Sequence, residues 1–384
     1  MFVGNYVKWS RDIDIEVDYR LTGIGRAYGP PSNFEGQYSK LFLNDGDGSF
    51  TDVSEQSGIH MDNPATGKPM GKALAVSPVD VDMDGRVDLL VANDTIQNFL
   101  FRNMGNGQFE EVGALWGVAF DRNGMATGAM GSDYAWYRND ESLAFAIGNF
   151  ANEMTSFYVA SDDPTQFVDQ AITDGIGPAS RSRLSFGVFF FDYDLDGRLD
   201  FLQANGHVED EINIVQKSQH YEQPTQLFWN CGDDCGPTFV EVDNEGAEAL
   251  AKPVVGRGAT FADIDGDGDL DILVTQINHK PLLIENQQSL GHSYISVRLK
   301  QPGMNPDAIG ARVRLIQGVS LQQQAIMPSR SYLSQVEPMV HFGLGPSPNP
   351  AELSLEVIWP DGQIQVVKPP VNPNQKLVIE RSMD

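Results

Sequence analysis

Residues 80–93 read DVDMDGRVDLLVAN, residues 192–205 read DYDLDGRLDFLQAN and residues 263–276 read DIDGDGDLDILVTQ. The three align without gaps as DxDxDGxxD followed by an apolar run. A second unit recurs after or beside them: LFLNDGDGSFTDV at 41–53, LFRNMGNGQFEEV at 100–112 and, with an insertion, LFWNCGDDCGPTFVEV at 227–242. It reads as two short strands joined by an Asn/Gly/Asp turn, which is hairpin chemistry. A Gly-rich lead-in strand such as GRGATFA at 256–262 completes a set of about four strands. One such sheet has faces that only neighbouring sheets can cover, which describes a propeller blade.

Two further stretches fit the same frame. Residues 144–169 (AFAIGNFANEMTSFYVASDDPTQFVD) are a degenerate copy whose aspartates are replaced, so a blade without metal is expected there. Val3-Gly4-Asn5 aligns with Val91-Ala92-Asn93, which places the matching first aspartate before Met1. The chain is therefore expected to begin inside a blade, with upstream blades and any export signal lost. The expected fold is all-β: about five propeller blades over 1–289, one of them partial, and a small β-sandwich-like domain over 290–384. Alternating runs such as Ser296-Val297-Arg298-Leu299 and Arg312-Val313-Arg314-Leu315, broken by Gly and Pro, indicate that second domain.

The aspartate stretches carry the chemistry. Carboxylates stand at positions 1, 3, 5 and 9: Asp80, Asp82, Asp84 and Asp88; Asp192, Asp194, Asp196 and Asp200; Asp263, Asp265, Asp267 and Asp271. Four acids so close repel one another unless a hard cation lies among them, and oxygen donors on a tight loop suit Ca²⁺ better than Mg²⁺. Gly85, Gly197 and Gly268 at position 6 permit the turn, and the backbone carbonyl of Arg86, Arg198 or Asp269 at position 7 is the further expected ligand. An EF-hand shares the opening but needs Glu at position 12, where Val91, Gln203 and Val274 stand, and flanking helices in place of these strand-like runs. Each ion is expected to pin a loop between two strands.

Composition narrows the partners. The 384 residues hold 53 Asp plus Glu against 26 Lys plus Arg, a formal charge of −27. That excess disfavours nucleic acid and anionic membrane surfaces, and no apolar run is long enough for a membrane helix. Two cysteines, Cys231 and Cys235, suit a structural loop with or without a disulfide better than a zinc site.

The DxDxDGxxD loops with their strands resemble FG-GAP/VCBS repeats, as in integrin α-chain propellers. The tail carries Ile309-Gly310-Ala311-Arg312-Val313, Ser331-Tyr332-x-Ser334-Gln335, His341-Phe342-Gly343-Leu344-Gly345 and Trp359-Pro360-Asp361-Gly362. It resembles the ASPIC/UnbV domain, and the combination is similar to the cartilage acidic protein family and its bacterial relatives. The resemblance implies a secreted, periplasmic or cell-surface calcium-binding propeller with an appended β-domain. It implies no established reaction.

The leading expectation is thus a non-catalytic recognition or adhesion module for a protein or polysaccharide at the cell surface. The rival is an enzyme, such as a lyase, hydratase or biosynthetic cyclase, using the propeller's central channel. Its candidates are His207, flanked by Glu209, Asp210 and Glu211, with Arg183 or Arg257. Tyr134, Trp136, Tyr137 and Trp116 are expected between blades, or alternatively on a sugar-binding surface. Asn93-Asp94-Thr95 has the form of a glycosylation sequon at the end of a strand.

Overall fold

In the computed structural model, which describes residues 1–243 and 247–382, the repeats form five successive sheets. The second blade shows the pattern in full: strands Ala73–Val79, Asp88–Asn93, Phe99–Gly105 and Gln108–Glu111 pair antiparallel in chain order. The third (Ser132–Ala135 to Phe167–Asp169) and fourth (Ser185–Phe191 to Phe239–Glu241) repeat it with four strands each. The degenerate copy thus builds a whole sheet, because packing of its apolar strands, and not the aspartate loop, makes the blade. The fifth blade has three strands, Gly256–Ala262, Asp271–Gln276 and Leu282–Ile284. The first blade also has three, Phe2–Val3, Lys40–Asn44 and Phe50–Asp52. Its Phe2 pairs with Leu41 as Leu90 pairs with Leu100, so it holds the counterparts of its neighbour's second to fourth strands.

Why the strands read as they do follows from their place. Asp88–Asn93 is buried at all of its positions because a blade lies against each of its faces. Leu353–Ile358 in the tail alternates buried and half-buried residues because only one face of its sheet meets a core. Aromatic side chains fill the wedges between blades. Tyr137, Phe157, Phe190, Phe201, Phe228 and Phe239 pack between the third and fourth sheets, with ring centroids 5.1–6.4 Å apart. Tyr134, Trp136 and Trp116 lie in the core between the second and third. All four aromatics weighed for a sugar surface are therefore interior, and that alternative is set aside.

The tail is a sandwich. One sheet has His292–Lys300 at its centre, antiparallel to Met339–Pro346 and parallel to Gln375–Glu380. The other runs Ser320–Ala325, Arg312–Gln317, Leu353–Ile358 and Ile364–Val367. Ile295, Val297 and Leu299 from one face Val313, Leu315, Leu355 and Val357 from the other. From this sandwich a hairpin, Ser329–Arg330 with Ser334–Gln335, reaches into the propeller. It touches the first strands of four blades: Ser331 N donates to Ser132 O (2.9 Å), Ser331 Oγ accepts from Val188 N (3.0 Å), and Thr260 Oγ1 donates to Gln335 O (2.7 Å). Leu74, on the fourth of these strands, packs in one apolar cluster with Tyr332 and Phe186. Arg330, half-buried, pairs with the buried Asp133 at 3.1 Å. The innermost strands thus surround a plug of tail, leaving a cavity of about 20 Å³ beneath it and a groove of about 640 Å³ beside it, between Tyr6, Leu74 and Tyr332.

Candidate metal centres

Each aspartate loop connects the first strand of its blade to the second. Two backbone positions bend it in the same way all three times. Position 6 takes positive φ at Gly85, Gly197 and Gly268, and so does position 4, at Met83 (58°), Leu195 (60°) and Gly266 (85°). A side chain tolerates that region poorly, so the two non-glycine residues are held there by the loop around them.

Position 9 ties the loop to the blade through hydrogen bonds. Asp88 is fully buried, and its carboxylate accepts Val81 N (2.9 Å) and Asn103 N (2.7 Å). Asp200 accepts Tyr193 N (3.0 Å) and Asn230 N (2.8 Å), and Asp271 accepts Ile264 N and Asn286 N (2.9 Å each). One carboxylate therefore ties its own loop to the far end of the third strand. Asn103, Asn230 and Asn286 complete the tie: their side-chain oxygens accept Gly105 N, Gly232 N and Gln288 N, turning the chain as it leaves the third strand. Sequence reasoning passed over these asparagines. Their signal was the recurring Asn at the end of LFRN, LFWN and LLIEN.

The carboxylates converge unequally. Asp80, Asp82 and Asp88 place oxygens within 4.8 Å of one another, as do Asp192, Asp194 and Asp200, whereas in the third loop the trio is Asp263, Asp265 and Asp267. Asp84 and Asp196 stand outside their trios, each on the arginine at position 7: Arg86 pairs with Asp84, and Arg198 with Asp196 at 2.5 Å. The Nε of each arginine donates to the carbonyl of Asn103 (2.7 Å) or Asn230 (2.8 Å). In the third loop position 7 is Asp269, whose side chain is itself buried, and Asp271 stays outside the trio.

Electrostatics separates the loops further. In the first, Arg102 pairs with Asp82 at 2.7 Å. In the third, Lys376 of the tail lies 2.9 Å from Asp263. No ion pair reaches Asp192, Asp194 or Asp200 among the described residues. Burial, then repulsion from Asp196 and Asp194, holds the Asp192 carboxyl well above the usual carboxylate range, and burial with Asp192 and Asp194 does the same to Asp200. Burial also pushes Asp88 up to about 7 and Asp269 up to about 7, the latter with Asp267 and Asp271 adding repulsion. Asp263 moves the other way: burial would raise it, but Lys376 and the Gly268 and Gly266 amides together hold it low. Three converging oxygen donors, with Asp192 and Asp200 among them resisting ionisation, are a donor set a hard divalent cation fits, since its charge offsets both burial and repulsion. The second loop fits best.

The rival constellation is built differently. Arg257 donates to the carbonyls of Gly206 (3.0 Å), Gly256 (2.7 Å) and His207 (3.0 Å), with its guanidinium 4.2 Å from the centre of the Phe186 ring. His207 accepts Glu209 N on Nδ1 (3.0 Å), packs edge-on to Phe150, and burial lowers it to about 4. Arg257 and His207 thus meet, with the Arg257 donors and His207 Nδ1 bonded to backbone that shapes one loop, whereas the buried Arg183 Nε has no hydrogen-bond partner and the Glu209 side chain turns to Asp210. Asn93 is fully buried, with its side chain bonded to Lys72 N (2.9 Å) and Gln97 O (3.1 Å), so the sequon is closed to modification in this fold. Cys231 and Cys235 are joined in a disulfide.

Sheets stacked blade against blade, aspartate loops at one end of them and a β-sandwich seated on those loops define a propeller-type repeat protein with a docked tail domain. Residues 301–383, within the tail, match the family described as ASPIC and UnbV. The chain is 27% identical to cartilage acidic protein 1 of Mus musculus over 318 residues, covering 82% of this chain and 44% of that protein. Against cartilage acidic protein 1 of Homo sapiens it is 26% identical, covering 82% and 43%. The chain thus spans less than half the length of the curated relatives it matches. Among solved structures it is similar to the Dos1 propeller, 10% identical with a TM-score of 0.35, over 95% of this chain and 82% of that one.

Proposed function

We propose that the protein is a calcium-stabilised recognition or adhesion module of the extracellular space, periplasm or cell surface, engaging a protein or polysaccharide. The observation that carries this reading is the plug: Ser329–Gln335 lies among the first strands of four blades, where a channel enzyme would hold substrate, and Arg330 pairs there with Asp133 and Arg257 with the 206–207 backbone. Calcium's task is structural, neutralising buried carboxylates so that the loops hold the first strands in register. Support for an exported location comes from the Cys231–Cys235 disulfide, which suits an oxidising compartment, and from the likeness to cartilage acidic protein 1.

Two measurements test it. Thermal melting with about 1 mM Ca²⁺ and with EDTA is expected to show a clear rise in Tm with calcium, and equal melts remove calcium from the account. Immobilised cell-surface polysaccharides and matrix proteins are expected to retain the protein in calcium and release it unchanged in EDTA. Chemical turnover of any of them overturns the recognition reading in favour of a lyase, hydratase or cyclase.

A further inference from the structure

The tail meets the second and third aspartate loops by different means. At the second it brings backbone, Gln322 and the His292 ring. Gly343 lies so close that a Cβ there would stand 2.1 Å from Asp192 Oδ2. Gly345 N donates to Leu195 O (2.9 Å), the His292 ring lies 2.7 Å from Asp194 O, and Gln322 covers Gly197. No lysine or arginine of the tail pairs with the Asp192, Asp194 and Asp200 trio among the described residues.

At the third loop the tail brings charge. Asn374 fixes the start of the strand Gln375–Glu380: its N donates to Tyr294 O (2.7 Å) and its side-chain oxygen accepts Tyr294 N (3.1 Å). This clamp lays Tyr294 over Gly268, where any Cβ would stand 1.9 Å from the ring. It also sets Lys376 beside Asp263, Nζ 2.9 Å from Oδ2, with the Asp263 side chain only 2% exposed. Asp263 is position 1, a member of the trio in every loop. An ammonium group on that carboxylate lies where like-charge repulsion opposes a second cation, and the ion pair persists only while the tail strand is seated.

We propose that Lys376 is a tethered counter-ion for the third aspartate loop, so that a divalent ion and the docked tail compete there, while the second loop takes its ion with the tail in place. This rests on the reading of the loops as divalent-ion sites. The two loops are then opposite in sense: an ion at the second stiffens the seat on which Gly343 rests, and an ion at the third must first displace the lysine.

Calorimetric Ca²⁺ titration of the full chain tests it, comparing wild type with Lys376→Met, which keeps the aliphatic stem and removes the charge. Lys376→Met is expected to tighten the weakest calcium step by about tenfold or more, the scale of one like charge removed from contact distance. Lys376→Met combined with Asp263→Asn is expected to lose that gain. In wild type, calcium high enough to fill the weakest step is expected to speed hydrogen exchange in Gln375–Glu380 and leave Met339–Pro346 protected. If wild type binds calcium but the weakest step is the same in Lys376→Met, the tethered counter-ion is refuted while the loops stand. If no step is seen in either protein, the loops themselves are not divalent-ion sites and both readings fall.

Discussion

Replacing Asp88 by alanine separates what the position-9 carboxylate does for the fold from what it does for an ion. Asp88 is fully buried, and its two oxygens receive the amides of Val81 and Asn103 at 2.9 and 2.7 Å. Alanine leaves both amides buried without partners, and each orphaned donor costs about 1–3 kcal/mol, so the loss is roughly 2–6 kcal/mol with no metal involved. Asp88→Asn keeps one accepting oxygen and turns an NH₂ toward the other amide, for about half that loss. Asp84 serves as the control: its carboxylate lies outside the converging trio and pairs with the more exposed Arg86, a contact of about 0–1 kcal/mol. Urea denaturation followed by tryptophan fluorescence, first in EDTA and then in calcium, reads all three. The expected order in EDTA is wild type and Asp84→Ala together, then Asp88→Asn, then Asp88→Ala. Should Asp88→Ala match wild type in EDTA and fall behind only in calcium, position 9 is purely a ligand and the tie to Asn103 carries no stability.

Two further outcomes follow from buried charge. Arg330→Ala strands Asp133, which is 1% exposed, and breaking a buried pair costs about 3–5 kcal/mol; limited proteolysis is expected to cut the 285–291 connection faster, and an unchanged cleavage rate would show that the hairpin is held by other contacts. His207 has its ionisation lowered to about 4 by burial, so the unfolded chain takes up the proton first on acidification. Its contribution is whole above the ordinary histidine range near 6.5 and is lost as pH falls toward 4, by up to roughly 3 kcal/mol. His207→Gln should flatten that part of the stability-against-pH curve, and a curve of unchanged slope assigns the acid sensitivity elsewhere.

The blades and their loops were legible because they are local and repeated. DxDxDG places its carboxylates through backbone geometry within nine residues, and the apolar run after it must be a strand with neighbours on both faces, so three copies in register gave the sheets and the acidic turns together. The degenerate third blade was legible for the same reason, since its burial pattern survived the loss of its aspartates. What escaped was set by contacts between residues far apart in the chain. Asn103 was visible in LFRN, but its bond to Asp88 joins a loop to a hairpin, and single-strand spacing does not encode which amide a carboxylate will meet.

The tail makes the same point from the other side. IGARV, HFGLG and SRSYLSQ could be recognised as marks of a domain, yet nothing in their spacing said that Gly343 would rest against Asp192, or that Ser331 and Gln335 would lie among the first strands of the propeller. Those relations explain why small residues stand there. A Cβ at Gly343 would strike the very carboxylate that converges with Asp194 and Asp200, so the close seat and the acidic loop constrain one another. The three loops, alike in their DxDxDGxxD pattern, consequently differ as sites. The trio of the first is partly neutralised by Arg102 from its own blade, that of the second meets no ion pair among the described residues, and that of the third is met by Lys376 from the tail. Equivalence along the chain is broken by Arg102 within the second blade, by Asp269 at position 7 of the third loop and by Lys376 of the tail, so the affinity proposed for each loop depends on its surroundings as well as on its nine residues.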